Sequence, residues 1–166
     1  MKTSSQVGIN LVKFFEGLHD GDLSIIGLQP KMCPAGIWTE GYGRTMRDGK
    51  GKFIKGIANK KLAYSRITIR TVAQAEKALI DDLKTFERIV TRKIGVVLNQ
   101  NNFDALVSHT YNTGGSNTLF RLVNTKADSQ LIKNWIEGKY ISANGVRLQG
   151  LVNRRKAESK LYFLKQ

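Results

Sequence analysis

The stretch Cys33-Pro34-Ala35-Gly36-Ile37-Trp38-Thr39-Glu40-Gly41-Tyr42-Gly43-Arg44-Thr45 decides how the rest of the chain is read. Short apolar and polar positions alternate here between glycines, the pattern of brief strands joined by tight turns. Another short strand is expected over 53–57, with Asp48-Gly49 as a turn signal. Upstream, Val7, Leu11, Phe14, Phe15 and Leu18 recur at helical spacing behind Ser4-Ser5, a candidate N-cap, and Gly17 is a candidate stop. Glu16 therefore falls at the C-terminal end of a helix, where the helix dipole disfavours a negative charge.

Downstream of Arg70 the texture turns helical. Thr71 with Gln74 forms a capping-box pattern, followed by Val72, Ala75, Leu79, Leu83, Phe86 and Val90 on one face. Further helices are expected over 99–112 (apolar Phe103, Leu106, Val107 and Tyr111), 117–123, from a cap at Asp128 to Gly138, and 152–164. The fold class is α+β: an N-terminal helix, a small antiparallel sheet, then a helical lobe. The whole chain reads as one domain, with a β-rich lobe over about 18–70 and a helical lobe from 1–17 and 71–166. A cleft between two such lobes is a common place for a ligand.

The charge balance is unusual: 27 Lys and Arg against 13 Asp and Glu, a net +14. Such a protein is drawn to polyanions, whether nucleic acid, an anionic membrane surface or a bacterial envelope. Between 47 and 70 stand Arg47, Lys50, Lys52, Lys55, Lys60, Lys61, Arg66 and Arg70 against Asp48 alone. That stretch reads as a solvated, partly flexible excursion, or else as a polyanion-binding arm. A single cysteine, Cys33, rules out an intramolecular disulfide framework and a multi-cysteine zinc site. No apolar run near the N-terminus is long enough for a signal peptide or a membrane span.

Few residues are left for chemistry. His19 and His109 have no serine or cysteine partner at recognisable spacing, and His109, on a helix, reads as a packing or surface residue. Gly41-Tyr42-Gly43 is too short to cradle a phosphate, and metal-ligand spacing is absent. What remains is Glu16, set before the strand-forming segment.

These residues carry a resemblance. Phe15-Glu16-Gly17 followed by the Trp38-Thr39-x-Gly41-Tyr42-Gly43-x-Thr45 strand resembles the phage lysozyme (endolysin) family of muramidases. Three later motifs resemble that family's helices in the same order. They are Phe103-Asp104-Ala105-Leu106-Val107-Ser108 with Tyr111-Asn112-x-Gly114, Thr118-Leu119-Phe120-Arg121 through Asn124, and Gly150-Leu151-Val152-x-Arg154-Arg155-x-Ala157-Glu158. The resemblance implies the lysozyme-like two-lobed fold. It also implies hydrolysis of the β-1,4 bond between N-acetylmuramic acid and N-acetylglucosamine, with Glu16 as general acid. That role needs a carboxyl that keeps its proton near neutral pH, and a helix end in apolar surroundings favours the neutral form. Thr39 takes the role of positioning the attacking water, and Arg154 that of the arginine beside the catalytic glutamate. Asn112, Tyr42 and Arg44 complete the implied supporting or substrate-binding set, with no metal and no cofactor.

The chain departs from the family pattern in several places. Cys33 stands where the family usually has an aspartate; it is a nucleophile, a group that shapes the site, or a buried structural thiol. The interval from Glu16 to Cys33 is longer than the family's, and the surplus carries Asp20 and Asp22, alternative second carboxylates on a glycine-containing loop. Arg44 stands where histidine is common. Glu40 falls at an inward-facing position, with Arg44 and Lys31 as candidate partners.

The expected partners are peptidoglycan, the anionic envelope and a holin-type membrane permeabiliser. The expected setting is the cytoplasm of a phage-infected bacterium, without a signal peptide, as a monomer binding no specific nucleic acid. Two other readings compete: a catalytically impaired wall-binding or phage structural module on the same fold, and a basic nucleic-acid-binding protein. The latter accounts for the charge but not for Glu16, Thr39 and Arg154.

Overall fold

The computed structural model describes residues 2–165. The chain forms two compact units: Glu16–Asp82, and a second made of the residues before Glu16 together with those from Leu83 onward.

The Glu16–Asp82 unit is built on a three-stranded antiparallel sheet of β1 (Lys31–Met32), β2 (Trp38–Glu40) and β3 (Arg44–Thr45), in that order. The register sets Lys31 opposite Thr39, Met32 opposite Trp38 and Glu40 opposite Arg44. A turn closes β1 onto β2, the Gly36 amide donating to the Cys33 carbonyl at 2.8 Å. Gly41 and Gly43 shape the next turn at φ of 59° and 84°. Left-handed backbone of this kind is reached cheaply only without a Cβ. At Gly41 a Cβ would also lie 3.0 Å from the Ile69 side chain.

The basic stretch is folded, which corrects the expectation of a flexible excursion. Residues Ile57–Asn59 make a 3₁₀ turn leading into α2 (Lys60–Ser65). Ile54 and Ala63 are buried with Trp38 and Met46, and Leu62 and Tyr64 pack against this cluster. The Trp38 indole donates to the Gly56 carbonyl at 2.9 Å and meets the Tyr64 ring edge-on. Burial of these apolar groups, at roughly 25 cal/mol per Å², fixes the backbone while every Lys and Arg of the stretch stays exposed.

In the second unit, Ser5 caps α1 (Gln6–Glu16) by accepting from the Gly8 amide. Its own hydroxyl and amide both donate to the buried carboxylate of Asp104. The face that turns inward is Gly8 and Val12, whereas Val7 is 55% and Phe14 79% exposed. The periodicity of large apolar residues pointed elsewhere because a glycine makes this contact. A Cβ on Gly8 would lie 2.7 Å from the Asp104 carboxyl carbon, so only glycine admits α1 so close.

The long α3 (Val72–Lys93) opens with the expected box, Gln74 Oε1 accepting from the Thr71 amide and Thr71 Oγ1 from the Gln74 amide. Val72, in its first turn, is exposed instead of continuing the apolar face. Helices α4 (Gln100–Thr113), α5 (Asn117–Asn124), α6 (Ser129–Gly138) and α7 (Gln149–Tyr162) follow. α7 packs on α4 and α6, and α6 on α5. Asn99 and Asp128 cap α4 and α6 through their side chains. Between α6 and α7 lies a hairpin of β4 (Ser142–Ala143) and β5 (Val146–Arg147), turned by Asn144 and Gly145, both at positive φ. Among the described residues no helix is long and apolar enough to cross a membrane.

The interior of α7 is polar. Arg154, Arg155 and Glu158 are each at most 3% exposed. Glu158 lies 3.2 Å from Arg154 and 3.3 Å from Arg155, and accepts from the Ser108 hydroxyl at 2.8 Å. Burial pushes the Glu158 carboxyl above the usual range, against the two guanidiniums and the Ser108 hydrogen bond. His109 packs beside Trp135 and Tyr140, and burial with the Arg155 and Arg154 charges lowers it to about 3, so it is neutral.

Candidate active site

Glu16 ends α1, and Gly17 at φ 70° stops the helix there. The carboxylate is half-buried and lies alongside the Gly41-Tyr42-Gly43 turn, where a Cβ on Gly43 would be 3.5 Å from Glu16 Oε2. The strand leading into this turn carries Thr39, 3% exposed. Its hydroxyl donates to the Lys31 carbonyl across the ladder at 2.9 Å. His19 meets the same strand: its backbone amide donates to the Gly41 carbonyl at 2.8 Å, and its Nδ1 lies 2.8 Å from Thr39 Oγ1. Residues two apart on a strand share a face, so the pairing at Gly41 sets the imidazole over Thr39. Burial and the Lys31 ammonium hold His19 below its ordinary 6.5, with Glu16 opposing. Sequence reasoning missed this residue. No local signal could have found it, because the contact is made by a chain reversal and not by spacing.

Cys33 is half-buried and lines a cavity of about 540 Å³ together with His19, Lys31, Met32, Pro34 and Gly36. The cavity-lining position does not fit a buried core thiol. In the hydrolysis that the family resemblance implies, a Cys33 that only shapes this wall would let Cys33→Ala keep much of the rate and Cys33→Asp preserve or raise it. Near-complete loss in both Cys33→Ala and Cys33→Ser, measured on purified walls, would instead make the thiolate a nucleophile.

The other candidate carboxylates are engaged. Asp20 Oδ1 accepts from the Gln29 amide at 3.2 Å and closes its own loop, while Asp22 Oδ1 takes the Ser24 amide and hydroxyl. Glu40 accepts from the Thr68 amide and hydroxyl and from the Ile69 amide, at 2.6–3.0 Å. It stands opposite Arg44 in the ladder, yet its bonds go to neither Arg44 nor Lys31. A buried carboxylate that collects three donors anchors the segment before α3. Arg44 forks onto Asp82 at 2.8 and 2.9 Å and onto the Ala78 carbonyl at 2.7 Å, fastening β3 to α3. Its guanidinium therefore serves the frame of the site. Tyr42 is buried at 8% exposure in the turn beside Glu16.

Arg154 and Asn112 belong to the other unit. Arg154 lies over the Phe15 ring, 5.7 Å from its centroid, and donates to Glu158. Asn112 Oδ1 accepts from Arg155 at 2.6 Å. Among the described residues no group of three His, Cys, Asp or Glu side chains is placed to hold a metal ion.

The phage lysozyme family model matches residues 23–158. The endolysin of Acyrthosiphon pisum secondary endosymbiont phage 1 is 30% identical over 164 residues, covering 95% of this chain and 96% of that one. The endolysin of Bacillus phage PZA is 32% identical over 162 residues, which is 95% of this chain but 54% of that protein. Among solved structures, the endolysin from Escherichia coli O157:H7 phage FAHEc1 superposes with a TM-score of 0.70 at 29% identity, over 98% of this chain and 94% of that one. The muramidase domain of SpmX from Asticaccaulis excentricus gives 0.72 at 26% identity, over 99% of this chain and 100% of that one.

Proposed function

Because this chain belongs to the phage lysozyme family and is a peptidoglycan-degrading glycoside hydrolase, we propose that Glu16 is its general acid. The observation that supports this most is local: the carboxylate is held at a helix end against the glycine turn that follows Thr39. Peptidoglycan offers a glycosidic oxygen that must receive a proton as its bond to C1 breaks, and Glu16 supplies that proton. Thr39 orients the attacking water from the next strand. Cys33 shapes the adjoining wall, with Tyr42 and Arg44 in its frame; Asn112 and Arg154 are supporting or substrate-binding residues of the helical unit.

The surplus of positive charge concentrates the enzyme on an anionic envelope. Synthesis in the cytoplasm, release to the wall by a holin-type partner and action as a monomer complete this reading.

The test is clearing of purified cell walls by the wild-type protein at rising ionic strength. Lysis of walls should fall as salt screens the exposed lysines and arginines between 47 and 70, while cleavage of a short neutral chitooligosaccharide changes far less. No clearing at any salt concentration would overturn the assignment. Equal salt sensitivity on both substrates would remove the role given to the charge.

A further inference from the structure

We propose that His19 is a second catalytic residue, the base that takes a proton from the attacking water through Nε2. The inference rests on the reading of Glu16 as acid and adds the partner that the reading lacks.

The hydrogen-bond directions carry the argument. Thr39 has one hydroxyl hydrogen, and it points to the Lys31 carbonyl at 2.9 Å. Thr39 Oγ1 can then only accept from His19 Nδ1 at 2.8 Å, so Nδ1 carries the ring hydrogen. In the neutral ring this leaves the lone pair on Nε2. Among the described residues no protein group hydrogen-bonds Nε2. The half-buried ring forms part of the wall of the 540 Å³ cavity, which has ample room for a water. A base fixed in one tautomer by a third group is the arrangement that activates nucleophiles elsewhere.

The charges around the ring suit the task. Lys31 on β1 and the half-buried setting favour the neutral form, Glu16 at the end of α1 opposes them, and Cys33 shares the cavity. The carboxylates nearby in sequence face other partners: Asp20 Oδ1 accepts from the Gln29 amide, Asp22 Oδ1 from Ser24, and Glu40 from Thr68 and Ile69.

In the step itself, the Glu16 carboxyl proton passes to the glycosidic oxygen as the C1–O bond breaks, and that oxygen keeps the bonding pair. The water oxygen bonds to C1 from the opposite face while one of its protons moves to His19 Nε2. Glu16 ends as carboxylate and His19 as imidazolium, and exchange with solvent restores both. The product has inverted anomeric configuration.

The test uses His19→Asn, whose amide nitrogen can replace Nδ1 toward Thr39 but offers no base, and His19→Ala. Both should lose about 10²-fold or more in kcat with little change in KM. The wild type should show an acid limb in its pH profile with a midpoint below 6.5, and His19→Asn should lack it. Azide should restore turnover to His19→Ala and yield a glycosyl azide. A His19→Asn enzyme with wild-type rate and an unchanged acid limb would overturn the proposal, leaving His19 a positioning residue. The anomeric configuration of the wild-type product, read by NMR on soluble glycan chains, needs no variant. Inversion supports the base, and retention overturns it. Glu16→Gln separates the two claims: activity in that variant would defeat the acid, whatever His19 does.

Discussion

Glu16→Gln should melt like the wild type and clear cell walls at least about 10²-fold more slowly, because an amide has no proton to donate and a positioned general acid is worth roughly 10²–10⁴ in rate. Stability should hold because the residue is half-buried at a helix terminus and glutamine matches glutamate in size and shape. Turbidity clearing and thermal melting on the same preparation separate the two effects. Retention of more than about a tenth of the wild-type rate would remove Glu16 from the chemistry.

The largest expected loss of stability is at Glu158. Glu158→Ala leaves Arg154 and Arg155, 3% and 0% exposed, without the carboxylate that both face. Ser108 loses its acceptor as well. Breaking a buried ion pair by removing one partner costs about 3–5 kcal/mol. For a chain of this size that lowers the melting temperature by about 6–20 °C. Lys156→Ala, exposed on the same helix, is the control and should change stability by less than about 0.5 kcal/mol. Equal melting temperatures for the two variants would show that the α7 network does not hold its unit together.

Where a residue's neighbours along the chain determine its state, the sequence was a good guide. Ser5, Thr71 with Gln74, and Asp128 start helices by bonding amides two or three residues on, and they do so here. The places of Glu16 at the end of α1 and Thr39 on a short strand were legible in the same way. The β4–β5 hairpin has a local signal too, the Asn144-Gly145 pair, both at positive φ in its turn.

What escaped was long-range. The inward face of α1 depends on Asp104, far along the chain, accepting from Ser5 and abutting Gly8. Periodicity weighs large apolar side chains and is blind to a glycine chosen for close approach. Lysines and glycines made the 47–70 stretch look loose, although the few apolar residues Ile54 and Ala63 are enough to bind it to Trp38 and Met46. Glu40 looked out of place on a buried face because two of its three donors, the amides of Thr68 and Ile69, are backbone groups with no sequence signature, and the third, the Thr68 hydroxyl, lies far along the chain. His19 escaped for a related reason: its significance lies in which hydrogen Thr39 has already given to Lys31.

The measurement that bears most directly on the central claim is the chemistry of the ends this enzyme leaves. Purified peptidoglycan digested with the wild-type protein, reduced with borohydride and analysed by mass spectrometry, should yield muropeptides that end in reducible N-acetylmuramic acid, with none released by Glu16→Gln. Ends at N-acetylglucosamine, non-reducible anhydro ends, or the same fragments from Glu16→Gln would contradict a muramidase that works through Glu16.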